Sequence, residues 1–185
     1  MWPWEHLAVG YLCYSALARA RGERPGGRAA LAVAVGSQFP DLVDKPLGWI
    51  LGVTSTTGLT PTHSLFVAVP LSALVVLVGR WQGAGRVGLA FAVGYLSHLS
   101  ADALYPVLLG EGLFTWFLFW PLTPVPAHGT APPLATVRSL AETFVTFLGT
   151  PRGTLYVLGE LALLAGATLA WLRDGVPGLP VGRPA

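Results

Sequence analysis

The sequence predicts an all-α, polytopic membrane helical bundle with about five membrane segments. Two observations predict it. Apolar residues make up 53% of the 185 residues and charged residues only 11%, whereas an ordinary soluble domain is about 25% charged. A surface so poor in charge is suited to lipid. The basic residues, nearly all Arg, also fall in loops between apolar runs of helical length. The length fits one helical membrane domain, residues 1–174, with a Gly/Pro-rich C-terminal tail, 175–185, expected to be flexible.

The first apolar segment runs from about Trp4 to Ala18 and is followed by Arg19, Arg21, Arg24 and Arg28. The second, Ala29 to Phe39, is short and is expected to stop at Pro40-Asp41. The stretch from Asp41 to Pro61 reads as loop or interfacial helix from its Thr, Ser and Gly content. A third segment spans Thr62 to Gly79 and ends at Arg80; a fourth follows Arg86, from Val87 to about Leu109. Leu113 to Trp120 is aromatic-rich, as an interface belt is. Prolines make Leu122 to Pro133 a loop, and His128 within it is expected to be solvated. Leu134 to Leu148 reads as an amphipathic helix, and Thr154 to Leu172, closed by Arg173, as the last span.

Composition excludes several classes. Cys13 is the single cysteine, so no intramolecular disulfide forms. A net charge of +2 without a basic, aromatic-interleaved patch argues against nucleic-acid binding. No Lys or Arg precedes the first apolar run, unlike a secretory signal peptide. The loops at 19–28 and 80–86 carry Arg and are expected to be cytoplasmic, with Arg152 the exception to that scheme. The expected location is therefore the cell membrane, multi-pass, with the lipid bilayer as partner.

Ionisable residues inside apolar segments are costly and point to a functional site. They are His6, Asp41, Asp44, His63, His98 and Asp102. The expected topology brings all of them towards the extracytoplasmic side. His98 and Asp102, at i and i+4, share a helix face and can reach one cation. A set of His and Asp without Cys suits zinc, manganese or iron. Plainer readings stand beside this one. His6 could be an interfacial polar residue and Asp41 a helix-start cap. His63 could serve a helix start through Thr62 and Ser64. Asp44 could pair with Lys45 at the surface, and His98 could simply hydrogen-bond Asp102.

The ordered set carries a resemblance. His6 with Gly10, Gln38-Phe39-Pro40-Asp41-Leu42-Val43-Asp44, Thr62-His63-Ser64, and Gly94-Tyr95-Leu96-Ser97-His98-Leu99-Ser100-Ala101-Asp102 resemble the YdjM-type family of membrane-bound metal-dependent hydrolases. The run Phe39 to Leu47 and the bias of Arg over Lys are similar to haloarchaeal members. The resemblance implies an all-helical fold distantly similar to zinc-dependent phospholipase C and single-strand nucleases, with His6, Asp41, His63, His98 and Asp102 as metal ligands. Those enzymes add a second His-x-x-x-acid helix downstream. Here only His128 follows, and Glu142 has no His four residues before it. One or two divalent ions, zinc first among the candidates, are therefore expected rather than three.

The expected function is metal-dependent hydrolysis of an ester or phosphoester at the outer membrane face, with a lipid or phosphoester substrate. Asp44 is the candidate general base or orienter of a ligand His. A transporter or scaffold that binds an ion through the same cluster without chemistry is the alternative.

Overall fold

The computed structural model describes residues 1–54, 58–125 and 133–179. The described residues form α-helices α1 (Pro3–Ala20), α2 (Gly27–Lys45), α3 (Leu65–Trp81), α4 (Gly85–Leu108), α5 (Pro133–Leu148) and α6 (Pro151–Arg173), with no strand among them. A π-helical turn, Pro46–Ile50, follows α2, and a 3₁₀ turn, Trp116–Phe119, precedes α5.

Local chemistry sets several helix starts. Pro3 opens α1, and the Glu5 carboxylate accepts the Trp2 backbone N–H at 2.5 Å, satisfying an otherwise orphan donor at the positive end of the helix. Ser64 caps α3 by accepting the Phe66 N–H at 3.2 Å. Thr150 caps α6 by accepting the Gly153 N–H at 3.0 Å.

The second segment differs from expectation. It does not stop at Pro40 but continues as helix through Asp41 and Asp44 to Lys45. Pro40 removes one ladder bond and its ring crowds the preceding turn, yet packing against α4 keeps the segment helical. Asp41 therefore sits inside a helix rather than capping the start of one. The aromatic run is also not all belt: Phe117 is fully buried.

Helix α4 is the centre, packed against α1, α2 and α3. Glycine permits the close approach. A Cβ on Gly94 would lie 2.5 Å from the Val33 carbonyl oxygen, and one on Gly36 would lie 2.3 Å from that of Phe91. Gly88 brings α3 equally near, with a Cβ 2.7 Å from the Val75 oxygen. Small residues at such crossings are how membrane helices gain van der Waals contact where lipid is as apolar as leucine.

Contacts fix the helix directions. The Gln38 side-chain amide, late in α2, donates to the Pro3 carbonyl at the start of α1, at 2.9 Å. Arg86 at the start of α4 pairs with Glu23 after α1 at 2.7 Å. Gly79 near the end of α3 meets Gly88 near the start of α4. Trp4 donates to Glu160, and Arg19 pairs with Asp174 at 2.6 Å, so α1 and α6 run parallel. The arginines in and beside the α1–α2 loop and those flanking the α3–α4 loop thus gather at one end of the bundle. Asp174 is buried there, accepting from Tyr11 and Ser15 as well as Arg19.

The outside of the bundle is apolar: Leu31, Val35, Leu74, Leu158 and Leu169 are exposed. Among the described residues, α4 and α6 are long and apolar enough to cross a membrane, and α3 is a shorter apolar helix. The amphipathic segment near the C-terminal third is α5, which leaves Leu134, Leu140 and Val145 exposed. Residues 175–179 fold back through a Trp171 indole N–H bond to the Pro177 carbonyl at 3.0 Å; 180–185 and His128 lie outside the described residues.

Candidate metal centre

At the end of the bundle opposite the loop arginines, four segments deliver the predicted residues to one point. α1 supplies His6, α2 supplies Asp41 and Asp44, the loop before α3 supplies His63, and α4 supplies His98 and Asp102. His6, His63 and His98 are almost wholly buried, and Asp41 and Asp102 retain about a tenth of their side-chain surface, at 10% and 12%.

Each of two histidines is held by its Nδ1. That of His63 lies 2.8 Å from Asp44 Oδ2, and that of His98 lies 2.7 Å from the Ser37 carbonyl oxygen. Both partners are acceptors, so both Nδ1 atoms carry the proton. The Nε2 lone pairs then face each other at 3.1 Å. Two acceptors at that distance require a cation between them, either a proton on one ring or a metal ion bound to both. In the loop before α3, burial disfavours the His63 imidazolium, but the carboxylates of Asp41, Asp44 and Asp102 outweigh it and raise the His63 pKa.

The donor atoms fit a metal. Asp41 Oδ1 lies 3.5 Å from His63 Nε2 and 3.8 Å from His98 Nε2; Asp102 Oδ2 lies 3.6 Å and 3.3 Å from the same atoms. A tetrahedron with metal–ligand bonds of about 2.0–2.1 Å has edges of about 3.3–3.4 Å. With the His–His distance, the five edges that involve a histidine run from 3.1 to 3.8 Å. These five distances are therefore close to the edges of such a tetrahedron before any adjustment.

Asp102 has a second oxygen, and Oδ1 lies 3.2 Å from His6 Nε2 and 3.0 Å from the Met1 amino nitrogen. The His6 ring stacks on His98 with centroids 3.7 Å apart. Both ring nitrogens of His6 are buried without a well-formed hydrogen bond among the described residues. The close Asp102 contact is an electrostatic approach of poor bonding geometry. Such orphaned donor atoms, aimed at a carboxylate, are what a ligand without its ion presents. Donor atoms of His6, Asp41 and His98 lie within 4.8 Å of one another, as do those of His63, His98 and Asp102.

Residues 1–174 match the YdjM inner membrane protein family. The chain belongs to that family. It is accordingly a membrane protein, and the two apolar helices long enough to cross a bilayer agree with this. Neither the curated proteins nor the solved structures compared with this YdjM-family chain gave a match.

Around the YdjM-family cluster lie groups that sequence reasoning did not single out. The Ser37 carbonyl is one; main-chain acceptors carry no residue signature, although Pro40 three positions later signals a disturbed ladder. Phe117 is another, packing edge-on to His63 with centroids 6.0 Å apart. Lys45, the one lysine in the chain, pairs with Asp41 Oδ2 and lies 5.7 Å from the Trp49 ring centroid. Lys45 thus pairs with Asp41. Asp44 is fully buried, and its two oxygens also accept the backbone N–H of Thr62 at 3.0 Å and of His63 at 3.2 Å.

Proposed function

We propose that this chain is a membrane-bound metal-dependent hydrolase. Asp41, His63, His98 and Asp102 hold one divalent ion, and His6 with the second oxygen of Asp102 provides for another. Bound there, the ion supplies Lewis acidity, lowering the pKa of a water and polarising an ester or phosphoryl oxygen. The observation that carries this reading is the near-tetrahedral His–His and His–Asp distances around two buried histidines already fixed through Nδ1. Zinc suits that spacing best. Asp44 acts as the orienter of His63 rather than as a free base, since its oxygens accept three N–H groups. A carboxylate behind a ligand histidine raises ligand basicity and fixes the tautomer. The resemblance to zinc-dependent phospholipase C and single-strand nucleases belongs to the same reading.

We place five crossings, α1, α2, α3, α4 and α6, in alternating direction within one domain over residues 1–174. The gathering of loop arginines at one end supports a cytoplasmic side there, and hence an extracytoplasmic cluster acting on a lipid or other phosphoester.

One observation favours the second reading, a non-catalytic ion-binding protein. Four protein donors close a four-coordinate ion, as in structural sites, whereas catalytic ions keep a position open. Metal analysis of purified protein, with an assay of phosphodiester hydrolysis, separates the two. Wild type is expected to hold near-stoichiometric metal and His98→Ala/Asp102→Ala none. Unchanged metal in the double variant refutes the site. Chelator-sensitive turnover supports the hydrolase; retained metal without turnover supports the ion-binding reading.

A further inference from the structure

Arg152 breaks two local rules. It stands in the first turn of α6, where the helix dipole disfavours a cation. It also lies at the His/Asp end of the bundle, against the arginine distribution of the loops. Residues that break local rules without local compensation mark functional positions. Arg152 has no carboxylate within ion-pair distance among the described residues; its described hydrogen bond runs from Nη1 to the Leu109 carbonyl at 3.4 Å. The guanidinium lies over Gly110, where φ is +87° and a Cβ would fall 2.1 Å from Nη1.

A groove of about 540 Å³ opens beside it between α1, α4 and α6. Val107, Leu155 and Leu163 make its wall apolar. Its two carboxylates are already engaged. Tyr156 donates to Glu5, whose other oxygen accepts the Trp2 N–H at 2.5 Å, and Glu160 accepts from Trp4. Of the two cations on the wall, the Met1 ammonium pairs with Asp102 at 3.0 Å, and the Arg152 guanidinium is left as the one without a carboxylate partner among the described residues. From Arg152 to Leu163 the α6 wall is about 16 Å long at 1.5 Å per residue, close to the roughly 15 Å of hydrocarbon in one leaflet. The groove also abuts the His/Asp cluster. Glu5 precedes His6, and Tyr105 follows Asp102 by less than one helical turn.

We infer that this groove holds one phospholipid of the surrounding bilayer, its phosphate on Arg152 and an acyl chain along Leu155 and Leu163. The charge at the mouth, the apolar wall below it and the leaflet-matched length together select a phosphate-bearing lipid over a free phosphate or an uncharged lipid. That the bound lipid is the substrate rests on the hydrolase reading; its binding does not.

The test titrates phosphatidylglycerol into delipidated full-length protein in detergent and counts bound lipid by native mass spectrometry. Wild type is expected to saturate one tight site. Arg152→Gln is expected to weaken it about tenfold, the effect of losing one charge-assisted hydrogen bond. Gly159 lines the groove, and a Cβ added there meets nothing within 4 Å. Gly159→Leu is thus expected to keep the fold and metal content and abolish the site. Diacylglycerol, lacking phosphate, is expected to respond to Gly159→Leu alone. Unchanged phosphatidylglycerol binding in either variant overturns the inference. A tight lipid site without turnover sinks the hydrolase reading and leaves the groove standing. Turnover of a water-soluble phosphodiester without a tight lipid site does the reverse.

Discussion

Replacing Asp44 by asparagine keeps the side chain's shape and removes one acceptor oxygen. Asp44 Oδ1 accepts Thr62 N–H at 3.0 Å, while Oδ2 accepts His63 N–H at 3.2 Å and His63 Nδ1–H at 2.8 Å. The amide can keep its oxygen on the His63 side, and its NH₂ then faces the Thr62 N–H. Two buried donors then face each other, the Thr62 N–H having lost its acceptor and the new NH₂ finding none, at a cost of about 1–3 kcal/mol each in stability. The His63 bond survives but to a neutral acceptor, roughly half as strong as a carboxylate. Loss of a carboxylate behind a ligand histidine typically costs about 10–100-fold in metal affinity, or about 1.4–2.8 kcal/mol at 1.4 kcal/mol per decade. Zinc dissociation constants from chelator competition in detergent, measured with thermal unfolding, check both numbers. An unchanged zinc constant with catalysis lost would refute the orienting role and make Asp44 a general base.

Three further outcomes are expected. Gly94→Ala puts a Cβ 2.5 Å from the Val33 oxygen and 2.9 Å from the Ser37 nitrogen, so α2 and α4 must part. A loss of about 1–3 kcal/mol and a falling metal content, from the strained His98–Ser37 bond, are the readouts; unaltered melting and metal would contradict the crossing. Metal uptake must displace a proton from His63, whose pKa lies above the ordinary histidine value because three carboxylates outweigh burial. Affinity should then be constant at high pH and begin to fall, as pH drops, already above 6.5; equilibrium metal titrations across pH would show a decline confined to lower pH if this is wrong. Protease added outside intact cells should spare the α1–α2 loop with Arg21 and Arg24, and cleavage there would reverse the proposed orientation.

Much of the architecture was legible because its causes are local or compositional. Low charge and long apolar runs mark helices in lipid. Ser64 beside His63 marks a helix start, and the i, i+4 pair of His98 and Asp102 lies on one helix face whatever surrounds it. Pro40 misleads for the opposite reason. Its local effect is to stop a helix, but glycine-mediated packing on α4 stabilises that segment by more than one lost ladder bond. The belt reading of residues 113–120 fails at Phe117 for a similar reason: whether a ring faces lipid or His63 depends on where the chain returns, which composition does not encode. By itself the sequence determined that this chain is helical, membrane-borne and supplied with a particular set of His and Asp residues. Only the tertiary structure decided that four separate segments place those donors at metal-bonding distances from one another, and that Asp44 and the Ser37 carbonyl turn the lone pairs of His63 and His98 inward. Coordination geometry is a matter of tenths of an ångström between residues far apart in the chain, and close helix crossing sets distances on that scale.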